Sequence, residues 1–222
     1  MGETWQLVLD SFWPLLQGAL VGTIPLTLIS FALGLVIALV VAIMRLSGRR
    51  VLVGLGRAYV SAIRGTPLLV QLFVIFYGLP QVGLTWAAWP SAVVAFSLNV
   101  GGYAAEILRA AILSVPAGQW EAGYTVGMSR AQTLRRIILP QAARVSVPPL
   151  SNSFISLVKD TSLAAMILVD EAFKVAREIS SATNEFLITY MEVAVIYWLI
   201  CVMLSGVQDR IERRLERHVV RA

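Results

Sequence analysis

Six ionisable side chains lie inside stretches that are otherwise apolar: Arg64, Glu106, Arg109, Lys159, Asp160 and Glu192. Charge in an apolar setting is costly, so each needs a partner, a wet cavity or a ligand. Glu106 and Arg109 stand three residues apart, a helical spacing at which they can neutralise each other. That pair reads either as a structural tie or as part of a polar pathway. Lys159 and Asp160 are adjacent, so on a helix they point about 100° apart and cannot satisfy each other along one face. Asp160, beside Thr161 and Ser162, has the chemistry to accept a ligand's ammonium group; a buried ion pair with another helix is the alternative. Glu192 is expected about two turns inside a membrane boundary, facing a watery vestibule, and Arg64 is expected to snorkel. Asn99 and Tyr103 add neutral polar groups near the middle of one apolar run. Ser151, Asn152, Ser153 and Ser156 add more, on a segment that Pro148-Pro149 can bend. Gly101 and Gly102 remove side-chain bulk, which suits either close helix packing or room for a ligand. This is binding chemistry, with no catalytic constellation. The single cysteine, Cys201, lies in an apolar run and reads as a lipid-facing or packing residue, and no metal-ligand spacing is present.

The elements that must hold these groups are membrane helices. The chain has 222 residues, 58% hydrophobic and 14% charged, against about 25% charged in soluble domains. Residues 11–44 and 65–105 carry no charge at all, and a hydrocarbon core needs about 20 apolar residues per helix. Five spans are expected, within 12–44 and near 59–79, 90–115, 141–169 and 186–207. In the first, Pro14 and Pro25 should separate an interfacial entry from the spanning helix. The fold class is therefore all-α, a single membrane domain over residues 1–222. No basic region precedes the first apolar run, whose first following cation is Arg45, so no cleaved leader is expected.

Loop charge sets the orientation. Arg45, Arg49, Arg50 and Arg57 follow the first span; Arg130, Arg135, Arg136 and Arg144 follow the third; Arg210, Arg213, Arg214, Arg217 and Arg221 follow the fifth. The gap at 80–89 is uncharged but carries Trp86 and Trp89, amphipathic anchors for an interface. The N-terminus is expected outside and the C-terminus in the cytoplasm. The net charge of +5 is thus an orientation signal, and no nucleic-acid partner is expected.

One polar passage, 119–140, is more organised than a loop requires. Residues 119–126 read as a short helix stopped by Gly127, a residue suited to the left-handed position after a helix. Ser129 and Gln132 have the spacing of a capping box that starts a second helix. That helix carries Leu134, Ile137 and Ile138 until Pro140, which permits a kink. A DNA-reading helix-turn-helix would look similar, but this one is tethered between spans and lacks base-reading side chains. Small residues at the corner make a knob that another protein can grip.

Here the sequence resembles a family. Glu121-Ala122-Gly123, Gly127 and Ile138-Leu139-Pro140 resemble the EAA signature of ATP-binding-cassette importer permeases, which usually have alanine where this chain has Gly123. The stretches Arg64-Gly65-Thr66-Pro67-Leu68 with Gln71, NVGGYAAEILR over 99–109 and PPLSNSFISLVKDTSLAA over 148–165 resemble the polar amino-acid subfamily, most of all its cystine permeases. The resemblance implies that 119–140 is a cytoplasmic coupling helix, with Glu121, Ala122, Gly123, Gly127, Leu139 and Pro140 docking in a separate ATPase. It implies substrate contact by Gln71, Asn99, Tyr103, Glu106, Asp160 and Ser162. The implied partners are a cytoplasmic ATPase dimer, an extracytoplasmic substrate-binding protein and a second permease copy or paralogue, in a bacterial cytoplasmic membrane. No cofactor is expected in the chain itself; ATP and Mg belong to the ATPase. Consistent with that division, the only lysines are Lys159 and Lys174 and neither follows glycine, so a Walker A loop is absent. An ion-coupled carrier using Glu106 and Asp160 as a relay is the competing class, and a non-transporting scaffold the third.

Overall fold

The computed structural model describes residues 2–216, and every regular element among them is helical. Three helices are long and apolar enough to cross a membrane, and two sharply bent pairs raise the number to as many as five. Helix α1 (Gly2–Gly18) runs through a widened π turn (Ala19–Thr23) into α2 (Ile24–Leu46). The interfacial entry expected at Pro14 and Pro25 is not a separate piece: Pro14 lies inside α1, and Trp5–Leu46 is one helix of 42 residues. At 1.5 Å per residue that is about 63 Å, twice a hydrocarbon core.

The second expected span, 59–79, also needs correction. Helix α3 (Arg50–Arg64) and α4 (Leu68–Phe73) are separated by Gly65-Thr66-Pro67, and the axis turns by 104° there. Pro67 forces its predecessor out of the helical region, which is why the chain breaks at that point. Helix α5 (Ala88–Leu113) is the third span, close to the expected 90–115. Helices α6 (Ala117–Thr125) and α7 (Arg130–Thr133) follow in the polar passage. Helix α8 (Leu139–Asp160) then tightens into a 3-10 segment (Thr161–Ile167) and bends by 51° into α9 (Ala172–Thr183). The expected span at 141–169 is therefore a helix that changes pitch at Asp160. Helix α10 (Phe186–Glu216) continues beyond the expected end at 207. Arg217 and Arg221 lie outside the described residues.

Among the described residues all three π turns, Ala19–Thr23, Val74–Gly78 and Leu134–Ile138, end two residues before a proline: Pro25, Pro80 and Pro140. Proline donates no hydrogen bond and its ring crowds the carbonyl four residues back. Widening the preceding turn moves that carbonyl aside and lets the chain continue.

Packing among the described residues is organised around three clusters, of which the third lies under the polar passage. In the first, Leu26, Ala38 and Val41 of α2 meet Ala92, Phe96, Val100 and Ala104 of α5, with Leu157 and Ile167 closing one side. In the second, Leu15 of α1 meets Ala172 and Ala176 of α9 and Val193, Ile196 and Ile200 of α10. A methyl added at Gly101 would lie 2.6 Å from Ile37 Cγ2, and one at Gly102 2.5 Å from Ile63 Cγ2. Of the two readings of these glycines, the geometry supports close packing.

Candidate functional site

A cavity of about 400 Å³ opens where both helix breaks meet α5. Thr66, Pro67 and Leu68 come from the break between α3 and α4; Asn99 and Tyr103 come from α5; Asn152, Ser153, Ser156 and Asp160 come from the last turns of α8. Discontinuous helices place backbone and polar side chains beside a cavity inside a membrane protein. Of the six expected substrate-facing residues, Asn99, Tyr103 and Asp160 line this cavity together. Ser156, Asn152 and Ser153 face the same space, as does Thr66, which enters the sequence pattern only within the family-like stretch Arg64–Leu68 and not as a site residue. The Arg64 guanidinium does not reach away from the protein; it stacks over the Tyr103 ring, 5.5 Å from its centroid.

The other three expected residues are elsewhere. Gln71 is beside the cavity but is spent on structure: its Nε2 donates to Ile63 O at 2.8 Å, to Thr66 O at 3.1 Å and to Thr66 Oγ1 at 2.9 Å. Its Oε1 accepts from Asn99 Nδ2 at 3.1 Å. Irregular backbone inside a membrane needs such partners. With its Nδ2 engaged, Asn99 is held in one orientation. Glu106 is enclosed in a triad, ion-paired to Arg109 as the spacing suggested and also to Arg45 at the end of α2. Arg109 Nε adds a 3.1 Å hydrogen bond to Glu106 Oε1. Ser162 donates to Lys159 O at 2.7 Å, outside the cavity lining.

Two further acids occupy packed positions. Glu192 faces Ser11 of α1, whose hydroxyl donates to its Oε2 at 2.5 Å; the expected vestibule is replaced by a helix contact. Glu171, which no apolar run or motif in the sequence singles out, is fully buried at the start of α9. Its Oε1 accepts from Lys174 N at 2.7 Å, and its Oε2 accepts from Tyr197 OH at 2.5 Å and Thr23 Oγ1 at 3.3 Å. Its position as a helix cap was legible from the Glu-Ala-Phe-Lys start, but its long-range partners were not.

The polar passage folds as a helix, a corner and a second helix. Helix α6 ends with Gly127 at φ +78°, and two bonds close the corner: Gly127 N to Tyr124 O and Met128 N to Gly123 O, each 3.0 Å. These are the two bonds of a glycine-terminated helix end. Ser129 and Gln132 then make the reciprocal box, Ser129 N to Gln132 Oε1 at 2.8 Å and Gln132 N to Ser129 Oγ at 3.3 Å. Ile138, Ala142 and Trp120 pack the corner onto Ala111 and Val115 at the end of α5. Glu121, Ala122, Gly127, Leu139 and Pro140 remain exposed, whereas Gly123 is buried against Thr133.

Residues 32–217 match the family described as "Binding-protein-dependent transport system inner membrane component". The chain is 60% identical over 218 residues to the L-cystine transport system permease protein TcyB of Bacillus subtilis (strain 168), covering 98% of this chain and 93% of that protein. It is 39% identical to the probable amino-acid ABC transporter permease protein YckA of the same organism, covering 96% and 94%. A solved structure described as an amino acid ABC transporter with histidines superposes with a TM-score of 0.86 at 34% identity, covering 90% of this chain and 94% of that one. With the match spanning most of the helical body, the cavity and the corner alike, the chain belongs to the binding-protein-dependent transport system inner membrane components, the permeases of ABC importers.

Proposed function

We propose that this chain is the permease subunit of an ATP-driven importer that carries L-cystine across the bacterial cytoplasmic membrane by alternating access. The observation that carries the substrate is the 60% identity, over nearly the whole chain, to a protein described as an L-cystine permease. The cavity supports the same reading chemically. Asp160 offers a carboxylate and Asn99 an amide carbonyl, both acceptors for a substrate ammonium group. Ser156 offers a hydroxyl, and Thr66 and Ser153, whose protons go to Ala62 O and Pro149 O, offer hydroxyl oxygens as further acceptors. In this reading the N-terminus lies outside and the corner around Gly127 in the cytoplasm, where it docks in one subunit of an ATPase dimer. A second copy of this chain completes the pathway, and an extracytoplasmic binding protein delivers substrate. ATP-driven closure of the ATPase pulls the two corners together and tilts the helices around the cavity.

The test is uptake by the reconstituted complex with L-cystine, L-glutamine, L-histidine and L-arginine as competing substrates. Cystine is expected to be concentrated preferentially; preference for another amino acid would end the cystine assignment. Asp160→Asn is expected to raise KM by about tenfold or more, the worth of a charge-assisted hydrogen bond, with basal ATP hydrolysis retained. An unchanged KM would remove Asp160 from the binding set.

A further inference from the structure

We propose a binding site for an anionic membrane phospholipid behind the corner helix, separate from the substrate cavity. Two cavities meet at Leu46, Ser47, Ile112 and Leu134, which line both. One, of about 430 Å³, continues into the apolar body of the protein between α2, α5 and α8, past Leu39 and Ala143. The other, of about 700 Å³, continues to the polar passage and ends on Trp120 and Arg130. Together they form one groove with an apolar end and a cationic end, the polarity pattern of a phospholipid.

Three observations commit the groove to that occupant. Its apolar end is open sideways, since Leu39 and Ile43 are half exposed or more on a helix that crosses the membrane. No carboxylate lines either cavity, and Arg130 makes no ion pair among the described residues. Trp120 stands at the change from apolar to polar, where an indole ring suits the headgroup level. A phosphate at Arg130 with an acyl chain running toward Leu39 satisfies all three. The occupant would touch Trp120 of α6 and Leu134 of the π turn, bracing the corner from behind. A polar amino acid fits poorly along walls of leucine, isoleucine and alanine.

Native mass spectrometry of the purified full chain, titrated with phosphatidylglycerol or phosphatidylcholine of equal chain length, reads the site directly. Phosphatidylglycerol is expected to be retained about fivefold more strongly, the worth of one basic residue toward an anionic lipid. Arg130→Gln should erase the preference between lipids, and Ala143→Phe, at an exposed wall position, should lower retention of both. Arg210→Gln, on α10 and outside the groove, should change neither. Equal retention of the two lipids by the unaltered chain would overturn the proposal, as would a preference that survives Arg130→Gln. Displacement of phosphatidylglycerol by glycerol phosphate at equal concentration would show that the acyl groove contributes nothing. Displacement by a stoichiometric ATPase would assign the cationic end to a protein interface instead.

Discussion

At the break between α3 and α4, the carbonyls of Ile63 and Thr66 have lost their helical partners, and the amide of Gln71 takes both. The same amide holds Asn99 at the cavity wall. Gln71 and Asn99 therefore make different contributions although they touch. Gln71→Leu leaves the half-buried Ile63 carbonyl and Asn99 amide without partners, at about 1–3 kcal/mol for each, and frees the more exposed Thr66 carbonyl. That variant should show both a lower Tm for the purified complex and a raised KM for uptake. Asn99→Leu removes a cavity group but leaves the bonds to Ile63 and Thr66 in place, so it should raise KM with a smaller loss of Tm. If Gln71→Leu melts with the unaltered protein, the amide is not clamping the break. The clamp was only half legible in the sequence. Gly65-Thr66-Pro67 has the residues of a break, but the apolar run passes through it and 59–79 was expected as one span; Gln71, a turn later, is close enough to bond back to it. The partner on α5 lies 28 positions away and no local spacing points to it.

The corner element turns on how closely α6 and α7 approach. A methyl at Gly123 would sit 2.5 Å from Thr133 Cγ2 and 2.6 Å from Thr133 Oγ1, and Thr133 is fully buried. Two effects oppose each other at this position. Alanine favours a helix over glycine by up to about 1 kcal/mol, whereas overpacking a closed site costs about 1–3 kcal/mol. At these distances the clash is the larger effect, and Thr133 accounts for a glycine where the family usually has alanine. Gly123→Ala should loosen the corner, seen as faster hydrogen exchange over residues 119–133 and weaker co-purification of the ATPase. Adding Thr133→Ala should restore part of both: it removes the two closest atoms, but the Cβ at 133 stays 3.1 Å from the methyl and the Thr133 bond to Ser129 O is lost. Slower exchange in the single variant would mean that helix propensity wins and the contact is slack. The helix stop at Gly127 and the Ser129–Gln132 box were both legible in the sequence because caps are local. The contact between Gly123 and Thr133 was not, because it depends on how the two helices fold across the corner.

On the scale of the whole molecule, the chain is a permease component of an ABC importer, and the proposed function gives ATP hydrolysis to a separate chain. With no glycine-lysine pair to hold a phosphate, vesicles containing this chain alone should equilibrate substrate at most, and concentration against a gradient should require the ATPase and ATP. Accumulation by the chain alone would refute the division of labour. The helical class, the third and fifth spans and the corner were readable because apolar runs, aromatic anchors and caps are written in consecutive residues. The 104° break and the change of pitch at Asp160 were harder, since apolar content continues straight through both. The triad of Arg45, Glu106 and Arg109 was readable only as a pair: Arg45 enters from 61 positions away. One feature of the long first helix reaches further than its length. Its early turns are locked to α9 and α10 through Leu15, and its later turns to α5 through Leu26 and Ala38. The two bodies therefore share a tie-rod. The rod's irregular turn, Ala19–Thr23, is buried at Ala19, Gly22 and Thr23 and lies hard against the Asp170 backbone at Gly22, so the proline at 25 also fixes where the rod is fastened to the segment that leads into α9.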